Sequence, residues 1–213
     1  MTVTQILDEA RNNLNAANDT LWADTELYVK LYKVMLRVSR KTRCIAATET
    51  QNTVAATATY TAPTTAFEIW RVTYENAKLQ QIDRRQLDAL TPNGSTSSGT
   101  PSFYLLEGTT LTLYPTPSAV GALKVFSFDI PSAVPTGATT LAVPAAYHDV
   151  LCNGLTAEMC PKDLGHPLTS YWQSRFEQGL SEMDALQRLN KRRDRFAVVK
   201  LEEESVSTEM GLI

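Results

Sequence analysis

The stretch from Gly99 to Pro144 constrains this chain most, because prolines interrupt runs that alternate in polarity. Leu111, Leu113 and Pro115 alternate with Thr112 and Tyr114, the two-residue period of a half-buried strand. A second run, Leu123, Val125, Ser127 and Asp129, alternates with Lys124, Phe126, Phe128 and Ile130. Both parities of the second run carry apolar groups, so it is expected to be covered on both faces, or on one by a neighbouring subunit. Pro115, Pro117 and Gly121 punctuate the connection, where fixed φ and permissive φ favour a turn over a ladder. This predicts a β-meander flanked by helical segments.

Upstream, Val3, Leu7, Ala10 and Leu14 recur at helical spacing behind a Thr2–Gln5 capping box. Asn12, Asn13, Asn15 and Asn18 should end that helix near Asp19. Asp24 reads as the next N-cap, Leu27, Leu31, Val34 and Val38 as the apolar stripe behind it, and Trp22 as a staple between the two helices. From Cys44 to Trp70 the only charges are Glu49 and Glu68. Thr53–Tyr60 and Phe67–Tyr74 read as strands around a Pro63 turn, followed by a turn at Glu75. Arg84–Leu90 reads as a short helix ended by Pro92, and residues 93–100, rich in Gly, Ser and Thr, as a flexible loop. Beyond the meander, Pro144 opens a helix carrying Tyr147, Leu151, Leu155 and Met159 on one face, which Pro161 stops. Pro167 opens another, striped by Leu168, Trp172, Phe176, Leu180 and Met183 and running out through Lys191–Arg195. Phe196–Leu201 reads as a strand and Glu202–Glu204 as a solvated charge run. The expected fold class is α+β. Residues 1–43 and 144–195 would form a discontinuous bundle of about four helices, residues 44–143 an inserted antiparallel β-domain, and 196–213 an extended C-terminal arm.

A length of 213 residues allows one to two domains with a sizeable core. The net charge of -3 argues against a dedicated nucleic-acid binder. Asp8 and Glu9 fall where a signal peptide needs an apolar core, and no run approaches 18 apolar residues, so neither secretion nor a membrane span is expected. Cys44, Cys152 and Cys160 are odd in number and without framework spacing, as expected for synthesis in a reducing cytoplasm.

Four residues form the sharpest chemical candidate, a zinc set of His148, Cys152, Cys160 and His166. It lacks a paired Cys-x-x-Cys or His-x-x-x-His, and Cys152 borders the Leu151/Leu155 stripe, where a free cysteine packs as a small hydrophobe. No Gly-x-Ser-x-Gly elbow accompanies the two histidines, and the loop at 94–99 lacks Gly-Lys-Ser/Thr. Glu177, Glu182 and Asp184 lack the Glu-x-x-His pairing of di-iron bundles. No catalytic residue, cofactor or metal is therefore expected. Two binding surfaces remain open. Arg37, Arg40, Lys41 and Arg43 crowd one helix end, either complementing the macrodipole or facing phosphates. Tyr60, Tyr74, Tyr104 and Tyr114 would expose aromatic rings on the β-domain, for subunit contact or for a glycan or nucleic acid.

Gly99-x-Pro101-x-x-Tyr104, then Gly108-x-x-Leu111-x-Leu113-x-Pro115-x-Pro117, then a strand ending at Pro131, resemble the head-to-tail adaptor (connector) proteins of tailed bacteriophages. The match is with the adaptor, or upper tail-tube protein, of short-tailed phages, and it covers most of the chain. The resemblance implies a virion structural protein of the neck, in a twelve-fold ring around the DNA channel. Its partners would be the portal protein, a tail nozzle or tail-tube protein, and its own copies, with DNA passing through unread. The C-terminal arm, through Phe196, Val198, Val199 and Leu201, would dock on the portal or on a neighbouring copy. The alternative reading is a ligand-binding module that uses the β-domain face for a glycan or nucleic acid.

Overall fold

The computed structural model describes residues 1–15, 22–91, 97–137, 139–160 and 168–209, with side chains up to residue 189. The chain is α+β and divides into two compact units, Met1–Cys44 with Ala133–Ile213, and Ile45–Ser132.

The first unit is helical. α1 spans Val3–Asn13 and α2 spans Asp24–Thr42. A 3-10 turn, Ala145–Tyr147, leads into α4, His148–Met159. The last helix, α5, spans Thr169–Glu209 (α3 belongs to the second unit). The α1 capping box forms as the sequence suggests: the Gln5 amide donates to Thr2 Oγ1 at 3.3 Å, and the Thr2 amide to Gln5 Oε1 at 2.8 Å. The helix ends at Asn13, earlier than the asparagine run alone suggests, and Asp19 lies outside the described residues. Ala23, not Asp24, is the N-cap of α2. Asp24 is the first helical residue, where its carboxylate meets the Arg11 guanidinium, which also donates to the Trp22 carbonyl at 3.0 Å. One arginine thus ties the end of α1 to the start of α2, and Trp22 is buried beside it.

α4 packs against α1, α2 and α5 and is buried on several sides. Gly154 permits this closeness: a Cβ there would stand 2.6 Å from Val34 Cγ1 and 2.8 Å from Phe176 Cε2. Tyr147, Leu151, Leu155 and Met159 are buried as their spacing predicts, as are Leu27, Leu31, Val34 and Val38 of α2. On α5, Trp172, Phe176 and Leu180 are buried, whereas Leu168 stands 43% exposed, outside the stripe assigned to it.

The second unit carries the strands. One four-stranded sheet has the order β1 (Ala46–Asn52), β10 (Ala122–Asp129), β3 (Ala66–Tyr74), β4 (Ala77–Lys78). The other has the order β2 (Thr59–Thr61), β8 (Thr110–Tyr114), β7 (Phe103–Glu107), β5 (Gln80–Gln81). Val72, Tyr74, Tyr104, Leu111, Leu113, Leu123 and Val125 from both sheets share one apolar core with Leu79. β6 (Ser98–Gly99) pairs with β9 (Thr116–Pro117), and α3 (Arg84–Leu90) falls where the sequence places it, behind an Asp83 N-cap.

Four expectations need correcting. The β8 and β10 runs are strands, but they belong to different sheets, so they do not form a meander: the proline-rich corner between them carries the chain from one sheet to the other. The pairing is not wholly antiparallel, because β5–β7 and β6–β9 are parallel. Thr53–Tyr60 is not one strand. It is broken by a turn at Ala56 (φ 62), and the longer strand lies upstream, over Ala46–Asn52. Ser98–Gly99, inside the segment read as a flexible loop, is paired, while residues 92–96 lie outside the described residues.

Phe196–Leu201 is helical rather than extended, since α5 continues to Glu209. The physical reason is composition: from Leu180 to Met210 there is neither Gly nor Pro, and Arg, Lys, Glu, Ala and Leu predominate. A short apolar run between charge clusters reads equally as strand or helix by periodicity, and propensity decides it.

Candidate partner-facing surfaces

The zinc candidate separates into satisfied core groups. His148 is buried, its Nε2 donating to the Val143 carbonyl at 3.1 Å, so its Nδ1 accepts from the Met1 amino group at 2.9 Å. The Cys152 thiol faces the Ile6 carbonyl at 3.6 Å, and the Cys160 thiol donates to the Thr156 carbonyl at 3.2 Å. Burial pushes the Cys152 thiol up to about 12, and the Glu9 and Asp149 carboxylates add to the effect. A thiol held neutral in this way is a poor nucleophile and a poor metal ligand near neutral pH. His166 lies outside the described residues, and among those described no group of three His, Cys, Asp or Glu is placed to hold a metal. The acids of α5 are engaged singly: Glu177 with Arg37, Glu182 with Gln178 at 2.8 Å, Asp184 with Arg188 at 2.8 Å.

The basic patch is only partly as the sequence suggests. Arg37 pairs with Glu177 and lies over the Phe176 ring, 5.2 Å from its centroid. Arg43 is the left-handed C-cap of α2 (φ 52). Lys33, one turn before Arg37, joins Leu36, Arg37, Arg40 and Lys41 around a shallow groove of about 480 Å³. Its position at i−4 was the available signal.

The tyrosines do not make an exposed platform. Tyr74 and Tyr104 lie in the core, and Tyr60 packs against it. Their hydroxyls are taken up locally, Tyr60 by the Thr57 carbonyl at 2.9 Å and Tyr74 by the Ala119 carbonyl at 3.2 Å. Tyr114 donates to the Leu90 carbonyl at 2.9 Å. Among the described residues Trp70 is an exposed aromatic ring of this unit, in a run whose sequence marks it only as strand. Phe196, Val198, Val199 and Leu201, expected from the sequence to dock, stand on helical backbone, and their side chains are outside those described. On the same helix Leu186 is 53% and Leu189 55% exposed. Among the described residues no helix is long and apolar enough to cross a membrane.

Among the described residues, the helical unit and the two-sheet unit offer surfaces for contact. The family model described as SU10 adaptor protein matches residues 1–199, and the chain belongs to that family of bacteriophage adaptors. It is a structural component of the virion neck or tail, a class that is typically non-enzymatic, that oligomerises and that contacts other head and tail proteins. None of the curated proteins matches the chain.

Proposed function

We propose that this chain is the head-to-tail adaptor of a short-tailed phage, a ring of twelve copies that joins the portal to the tail nozzle or tail tube around the DNA channel. In this reading residues 1–43 and 144–195 form the bundle, 44–143 the inserted β-domain, and the C-terminal segment the docking arm. The observation that carries it is the mismatch between α5 and the helices around it. At 1.5 Å per residue the 41 residues of α5 reach about 60 Å, against about 28 Å for the 19 residues of α2. The distal part of α5 therefore outruns every helix of its own unit, and the exposed Leu186 and Leu189 lie toward it. Such a helix is suited to a partner's groove.

The mechanism is geometric. Contacts that are individually modest are closed by rotational symmetry and multiplied by effective concentration into a firm joint. A net charge of -3 suits a channel through which DNA slides, because a strongly basic lumen would hold phosphates. Lys33, Arg40 and Lys41 are then surface cations that can touch passing DNA without reading it. The chain carries no catalytic group in this proposal. The test is the mass of the purified protein alone and with portal rings. A discrete twelve-copy complex on the portal is expected; a protein that ignores the portal overturns the proposal.

A further inference from the structure

The second unit contains a cleft of about 450 Å³ that no part of the adaptor reading uses, lined by Trp70, Arg71, Lys78, Gln80, Gln81 and Tyr104. It lies where two sheet edges meet: β4 is the outer strand of one sheet and β5 of the other, and the chain passes between them through the buried Leu79. Outer strands leave backbone donors and acceptors facing outward, which an extended segment can satisfy.

The side chains around it are prepared in three respects. Trp70 is the extra residue of a β-bulge, since Arg71 pairs with Phe126 and Ile69 with Ser127. The bulge turns the indole outward, 48% exposed. The ring is nevertheless held, stacked on Phe128 at 6.1 Å and tilted against Phe126 at 5.4 Å. Arg71 lies over Phe126, its Cζ 5.3 Å from the ring centroid, lines the cleft and makes no ion pair among the described residues. A guanidinium held in place in this way pairs best with a carboxylate. Lys78 is exposed at the rim and makes no ion pair among the described residues, whereas Arg84 nearby in sequence is paired with both Asp88 and Glu107. Among the described residues no carboxylate lines the cleft.

We propose that this cleft binds an extended acidic peptide segment of a protein partner, a carboxylate meeting Arg71 and Lys78 while an adjacent apolar side chain covers Trp70. A glycan site would need side-chain acceptors for sugar hydroxyls; here the acceptors are two glutamine amides, one already engaged by the Tyr104 hydroxyl at 3.3 Å. A nucleic-acid track would need a row of cations, and the cleft holds two. The strand edges, the paired positive charge and the single apolar plate together match a peptide. The inference is independent of the ring and of the portal.

The experiment uses the full chain and a fluorescein-labelled hexapeptide alternating Glu and Leu, with anisotropy as the readout and the alternating Lys/Leu peptide as counter-probe. Saturable binding of the acidic peptide that weakens as salt rises is expected, with no binding of the basic one. Arg71→Gln and Lys78→Gln should each weaken it about tenfold, the loss of one charge-assisted contact. Trp70→Ala should do the same, and Arg85→Gln, on α3, should leave it unchanged. If circular dichroism shows that Arg71→Gln perturbs the fold, the exposed Lys78→Gln carries the test. The proposal is overturned if the acidic peptide does not bind at millimolar concentration or if Lys78→Gln is without effect. It is equally overturned if inorganic phosphate, an oligothymidylate or maltohexaose binds the cleft more tightly than the peptide.

Discussion

At Gly154 a single hydrogen atom sets how closely three helices approach. Replacing it with Ala has two opposed effects. Helix propensity gains about 1 kcal/mol, while the new methyl would sit 2.6 Å from Val34 Cγ1 and under 3 Å from two atoms of Phe176. Overpacking a tight core costs about 1–3 kcal/mol, so the clash should win. Gly154→Ala should lower the melting temperature, and adding Val34→Ala should recover part of the loss, the sign of coupled neighbours. Cys152 makes a second test at this scale. Its thiol ionises near 9.0 when unperturbed and at about 12 in the folded chain, chiefly through burial. The unfolded chain therefore loses this proton first as pH rises. The stability tied to the neutral thiol is complete below pH 9 and declines between about 9 and 12. Wild type should lose more stability than Cys152→Ala over that window, and iodoacetamide at pH 8 should leave Cys152 unmodified until the protein is denatured. The burial of Cys152 is legible from its place beside the Leu151/Leu155 stripe, and Asp149 lies three residues before it; the approach of Glu9 and the tight packing at Gly154 are non-local and are not legible.

Among the elements, those the sequence exposes well have a local cause. The Thr2–Gln5 capping box, the α4 face and the limits of α3 all follow from residues close in sequence. What it hides is non-local. The runs at 110–114 and 122–129 are visible as strands, yet one lies between β2 and β7 and the other between β1 and β3, and the Ala, Thr, Gln and Asn of β1 give little apolar signal. β1 forms because β10 offers it a full antiparallel edge, from Ala46 opposite Phe128 to Asn52 opposite Ala122. α3 illustrates the local case, since it has no buried residue and rests on its cap. In Asp83→Ala the Gln86 amide loses its acceptor, at 2.8 Å in the native chain. A cap of this kind is worth about 1 kcal/mol. The α3 amides should exchange faster by several-fold, while the main unfolding transition moves little because no core residue lies on that helix.

For the molecule as a whole the question is what the last third of α5 is for. Among the described side chains the buried residues of the helix are Trp172, Phe176 and Leu180, all near its start, and Leu186 and Leu189 beyond them are more than half exposed. Past Leu180 a described tie to the unit's core is polar, the Gln187 side chain donating to the hydroxyl of the buried Tyr147 at 2.7 Å. An isolated helical extension is marginal in water and is stabilised mainly when a partner covers one face. In the proposed arm, Phe196, Val198, Val199 and Leu201, between the Lys191–Arg195 cluster and Glu202–Glu204, would supply apolar groups for such a partner. Fully burying a large apolar side chain contributes about 1.5–3 kcal/mol, but ordering the segment consumes much of that gain, so one arm alone binds weakly. A ring of arms acting together does not. Ending the chain after Arg195 separates the two roles. The isolated subunit should keep its melting temperature within about 2 °C, because a shift of that size in a domain this large corresponds to under about 1 kcal/mol. Its assembly on portal rings should be lost. Unfolding of the truncated chain would assign these residues to the core, and assembly at full strength would remove the arm from the joint.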